Sequence, residues 1–133
     1  MKKLLFTMFI VIAAAISSFA VCLEPDESLE LFHNKYAIAN LNAGITSDNY
    51  GLKQQSIYFA GLYKVKKSFE PLAKVLKEET DENIAKLTIL ALFRIDEKKA
   101  IEFLKDYASD CKNPELKKFC KIIDSDFASN YGR

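Results

Sequence analysis

An all-α fold, a stack of short antiparallel helix pairs of the α-solenoid type, is predicted by three observations. The 133 residues include only four Gly and three Pro, too few for a turn-dense β architecture or a Pro-rich chain. The same residue types recur when the sequence is slid against itself by 32 residues, the mark of a repeat array. Within each copy the apolar positions follow the 3.6-residue period of a helix. The expected organisation is a right-handed stack of about two and a half repeats behind an N-terminal capping helix.

The first element is a leader. Met1-Lys2-Lys3 is followed by an almost unbroken apolar run from Leu4 to Ile16 and by small residues up to Ala20, the pattern of a secretory signal peptide over 1–20. The run is short for an uncleaved membrane anchor, and Val21 stands where lipoprotein processing at Cys22 wants a small residue. The mature domain is therefore expected over 21–133, periplasmic or secreted, with no membrane span after cleavage. Of 19 Lys and Arg, Lys2 and Lys3 go with the leader, leaving 17 against 18 Asp and Glu. This balance disfavours a nucleic-acid or anionic-membrane binder.

A capping helix is expected over 26–43, with Leu29, Phe32, Tyr36 and Ala39 at helical spacing and Gly44 as its terminator. Repeats follow over 48–79, 80–111 and 112–128. Asn49, Asp81 and Asn113 align as N-caps, each able to accept a bond from the free N–H groups of a first helical turn. Behind them align Leu52, Ile84 and Leu116, then Ser56, Thr88 and Cys120, then Phe59, Ala91 and Ile123, then Tyr63, Ile95 and Phe127. These offsets trace one stripe of a helix. In the returning helices, Phe69 and Leu72 align with Ile101 and Leu104, and Val75 and Leu76 with Tyr107 and Ala108. From Leu87 to Phe93 the middle outgoing helix is apolar nearly all round, so it should be covered on several sides, Leu90 included. The third unit has only its first helix, turning polar at Asp124, Ser125 and Asp126, with a tail from Ser129 expected to fray.

The run Asn49-Tyr50-Gly51-Leu52-Lys53-Gln54-Gln55-Ser56-Ile57-Tyr58-Phe59-Ala60-Gly61, followed by Phe69-Glu70-Pro71-Leu72, resembles a HEAT-like repeat of the phycobilisome-lyase type. The second unit keeps the spacing but has Ala85 in place of the basic residue and Phe93 in place of Gly61. The likeness covers about two-thirds of the chain. It implies an α-solenoid that presents a surface to other macromolecules, usually proteins; no residue carries over to the chromophore-handling role of some relatives.

Material for catalysis or metal binding is scarce. His33 is the only imidazole; with Glu30 it falls short of the three or four ligands a metal needs, and Cys111 and Cys120 lie at the opposite end of the array, which makes them poor nucleophile partners for it. Glu78-Glu79-Thr80-Asp81-Glu82 lacks the alternating ligands of a calcium loop; within it Asp81 and Glu82 read as the charged start of a helix. Lys64, Lys66 and Lys67 suit the carbonyl end of the helix before them. Among Cys22, Cys111 and Cys120 an odd thiol remains. Whether Cys111 and Cys120 pair stays open, although two helical turns between them approach about 10 Å. No catalytic residue, metal or cofactor is expected.

The remaining candidate is the solvent side of the returning helices, Glu70, Lys74 and Lys77 in one and Glu102, Lys105 and Asp106 in the next. In stacked helix pairs such helices line the inner curve where partners dock. The expectation is an exported, monomeric, non-catalytic scaffold for a protein partner of unknown identity. The alternative is an accessory or regulatory subunit of an envelope enzyme complex.

Overall fold

The computed structural model describes residues 34–131 and is all-helical there: α1 (Lys35–Ile45), α2 (Tyr50–Leu62), a 3-10 turn (Lys66–Ser68), α3 (Phe69–Glu78), α4 (Glu82–Ile95), α5 (Glu97–Asp110) and α6 (Pro114–Tyr131). The expected leader, Cys22 and His33 lie outside the described residues.

Every described helix except α3 starts where a short polar side chain accepts from its first turn. Asn49 Oδ1 accepts from the Leu52 N–H at 3.0 Å, Asp81 Oδ1 from Asn83 and Ile84 at 2.9 and 3.0 Å, and Asn113 Oδ1 from Glu115 and Leu116 at 2.9 and 3.2 Å. The three register-matched caps thus act alike. Asp96 ends α4 and caps α5 with a bond from the Lys99 N–H, so a single extended residue joins those helices. At the exit of α2, Lys64 takes a φ of 49°. The Val65 N–H then reaches the Ala60 carbonyl at 2.9 Å and the Lys64 N–H the Gly61 carbonyl at 3.3 Å, the paired bonds of a Schellman end. Ser68 is buried after this turn and donates from Oγ to Asn42 Oδ1 at 2.7 Å, which ties the turn to α1.

The core centres on α4, which packs against α2, α3, α5 and α6. Ile84, Ile89 and Leu92 of α4 meet Ile57 of α2, Leu72 and Leu76 of α3, and Leu104 of α5 in one continuous cluster. The buried hydroxyl of Thr88 is satisfied by the Ile84 carbonyl at 2.7 Å. α1 packs against α2, α3 and the 3-10 turn. Two helix contacts are close enough to exclude side chains. A Cβ on Gly44 would collide with Ser56 Oγ, and one on Gly61 would lie 2.8 Å from the Ala91 Cα.

Several expectations require correction. Of the expected capping helix, 26–33 lie outside the described residues; the described helix spans Lys35–Ile45, beginning after Asn34, which is extended and caps it by accepting from the Tyr36 N–H. Its buried stripe is Ile38 and Ile45 with Leu41 half-buried, not Tyr36 and Ala39; Tyr36 is 68% exposed. Gly44 lies inside this helix as a close-approach residue and does not end it. Leu90 is 44% exposed, because the helices around α4 leave one strip of it open. The stripe that the 32-residue alignment matches is buried in α4 and, apart from half-buried Phe127, in α6, but open in part of α2: Leu52 and Phe59 are 52% and 40% exposed, against 1% and 3% for Ile84 and Ala91. α6 stays helical through Ser129 to Tyr131 where fraying was expected.

Candidate partner-binding cleft

Two grooves flank α5. The larger, about 750 Å³, lies between the C-terminal ends of α3 and α5 and the start of α6. Leu76, Phe103, Tyr107 and Leu116 supply its apolar surface, and Lys77, Glu78, Glu79, Asp106, Asp110 and Lys112 its charges. The smaller, about 300 Å³, lies between α5 and α6, with Ile101, Leu104, Ala108 and Cys120 beneath Lys105, Lys117, Lys121 and Asp124. A third hollow of about 330 Å³ continues the larger cleft toward the start of α3 along Phe69, Glu70, Ala73, Lys74, Lys77, Lys99 and Phe103.

The cleft is built on aromatic rings. Phe69 meets Phe103 edge-on at 6.4 Å, and Phe103 stacks on Tyr107 at 6.4 Å with an 18° interplanar angle. Lys99 Nζ sits 4.1 Å from the Phe69 centroid and Lys77 Nζ 5.4 Å from that of Phe103, so both rings already carry an ammonium on a face.

All six residues singled out in the sequence are exposed, but they do not form one site. Lys77 and Asp106 line the large cleft, and Glu70, Lys74 and Lys77 the hollow beyond it. Glu70 is engaged by Lys99 at 2.7 Å. Lys105 turns to the other groove, where it pairs with Asp124 at 3.3 Å. Glu102 lines none of the three. Sequence reasoning missed Phe103, Tyr107, Glu78 and Asp110. Glu78 and Asp110 occupy the same register, 32 residues apart, a signal the alignment held. Tyr107 aligns with Val75, which is buried, but is itself half-buried, and its ring serves as cleft wall.

Electrostatics fix what the cleft can do. Burial, then the neighbouring Cys111 thiol, pushes the Tyr107 hydroxyl well above the usual tyrosine range. Burial likewise pushes the Cys120 thiol up to about 11. Both stay protonated near neutral pH, so they offer packing and hydrogen bonding and no nucleophile. Cys111 and Cys120 are free thiols, and Cys111 Sγ donates to the Asn113 carbonyl at 3.6 Å. At Glu79, burial raises the carboxyl pKa, but bonds from the Asp81 N–H, the Lys53 ammonium and the Thr80 N–H outweigh it and hold it below the usual range. The Lys53 Nζ to Glu79 Oε2 distance is 3.0 Å, which joins α2 to the end of α3.

Among the described residues no three His, Cys, Asp or Glu side chains come together as a metal would require, and no helix is long and apolar enough to cross a membrane. Comparison with protein-family models, curated proteins and solved structures finds no match to this chain.

Proposed function

We propose that the chain is an exported, non-catalytic, HEAT-like α-solenoid of antiparallel helix pairs that acts as an interaction or assembly scaffold, monomeric until it engages a protein partner. The observation that carries this reading is the cleft of about 750 Å³ beside the returning helices: an aromatic wall with a charged rim, set on rigid helices. Such a surface gives a partner desolvated contact area at little ordering cost. The shared cap positions and the repeated packing of α3 on α4 and of α5 on α6 support a solenoid. Export rests on the leader, with cleavage after Ala20; N-terminal sequencing of the mature protein should begin at Val21, and a start at Met1 would contradict it.

A photo-crosslinking side chain placed at Asp106, beside the cleft, tests the docking reading in the native cell envelope. Light-dependent adducts to a discrete protein are expected from this position, and none from Gln54 on the exposed side of α2. Adducts from both positions alike, or from neither, would contradict the reading.

A further inference from the structure

Two charges of the large cleft run against what helix stability favours, while Lys77 in the last turn of α3 accords with it. Glu78 is the last residue of α3 and Asp110 the last of α5, where the exposed carbonyl end of a helix disfavours a carboxylate and favours a cation. The two positions are register equivalents, so the same unfavourable choice occurs twice, and both occurrences fall on one cleft. Asp106 adds a third carboxylate on the rim. Among the described residues none of the three forms an ion pair, whereas the fourth, Glu79, is held by Lys53. The rim's two ammonium groups are Lys77, which already lies over Phe103, and Lys112.

We propose that the occupant of this cleft is an extended segment of a partner protein bearing Lys or Arg side chains. Resting on the docking reading above, the inference adds the partner's chemistry. The cationic heads would meet Glu78, Asp106 and Asp110 and the carbonyl ends of α3 and α5, while their aliphatic stems lie on Phe103 and Tyr107. A cation supplied by the partner relieves in the complex what the two carboxylates cost the free protein. The groove on the other side of α5 has the opposite character, with Lys117 and Lys121 beside the paired Lys105 and Asp124, so a partner crossing α5 would change from basic to acidic.

The test measures fluorescence anisotropy of three labelled nonapeptides, three repeats each of Gly-Lys-Leu, Gly-Glu-Leu and Gly-Gln-Leu, against the purified protein. The Lys peptide should bind at least about tenfold more tightly than either other and weaken with added salt. The double variant Glu78→Lys/Asp110→Lys should lose at least about tenfold of that binding while melting at the same temperature or higher, since each Lys now suits its helix end. The variant Asp48→Lys/Asp126→Lys, with the same change in net charge away from the cleft, should retain binding. Equal binding of the Lys and Gln peptides, tighter binding of the Glu peptide, or equal losses in both double variants would overturn the basic-segment proposal, and crosslinks from Asp106 would then still uphold the docking reading. No binding of any peptide together with no crosslinks would remove both.

Discussion

α2 and α4 share a register, a cap type and a stripe of aligned positions, yet they fold into different surroundings. In α4 the stripe positions Ile84, Thr88, Ala91 and Ile95 are all buried; in α2 only Ser56 is, with Tyr63 half-covered and Leu52 and Phe59 open. The difference lies in the neighbours. α4 has α2 on one side and α6 on the other, whereas α2 is met by α1, which closes on Ser56 through Gly44. The contacts also differ in kind. α2 meets α4 where Gly61 lies against the Ala91 backbone, while at the equivalent place Phe93 of α4 meets Phe127 of α6 edge-on at 6.3 Å. A matched register thus specifies a position on the helix, and the neighbouring helices decide whether that position is core or surface.

The contrast can be broken most sharply inside α4. Ile89→Asp places an unpaired charge at a fully buried site and should cost about 4 kcal/mol or more, enough to unfold the domain. Leu90→Asp, one residue on at a half-exposed site, should cost about 1 kcal/mol. Circular dichroism melts of the pair check this, and equal losses would mean that α4 has no open strip. Gly61→Ala should cost about 1–3 kcal/mol, because the new methyl meets backbone that cannot swing away. Gly51→Ala on the same helix meets only Asn49 Oδ1, at 3.6 Å in ordinary van der Waals contact, and should stabilise by about 0.5–1 kcal/mol. Chemical denaturation of both variants distinguishes a close helix crossing from a loose one.

Smaller effects test the helix starts and the titratable groups. Asp81→Ala should cost about 1 kcal/mol, since two N–H groups lose their acceptor. Glu79 has a depressed folded-state pKa, so its contribution is present above the unfolded carboxylate pKa of about 4.3 and is lost as pH falls through the lower folded value. Glu79→Gln should therefore flatten the acid limb of a melting-temperature profile. In a Cys22→Ser background at pH 8, Cys111 should react with a maleimide in the native protein and Cys120 only after unfolding, as its burial and raised pKa require.

Helix starts were legible in the sequence because a cap is a local device: Asn49, Asp81 and Asn113 need only their own next turn. Asn34, equally local, was overridden by an apolar spacing that ran across it, and Gly44 was read as a terminator because its role depends on Ser56, twelve residues away. Leu90 was misplaced because an unbroken apolar run does not reveal which strip its neighbours leave uncovered. Single exposed charges such as Glu70 and Lys105 were visible, but their partners Lys99 and Asp124 lie on other helices. The cleft itself arises from side chains that three helices bring together, and only the matched pair Glu78 and Asp110 marked it in the sequence.

Native-state hydrogen exchange probes most directly whether α4 is enclosed by its neighbours. Its amides between Ala85 and Ile95 should be the slowest in the domain and exchange only through global unfolding, while those of α1 and of α6 beyond Phe127 exchange by local opening. Exchange in α4 as fast as at the end of α6 would contradict the account.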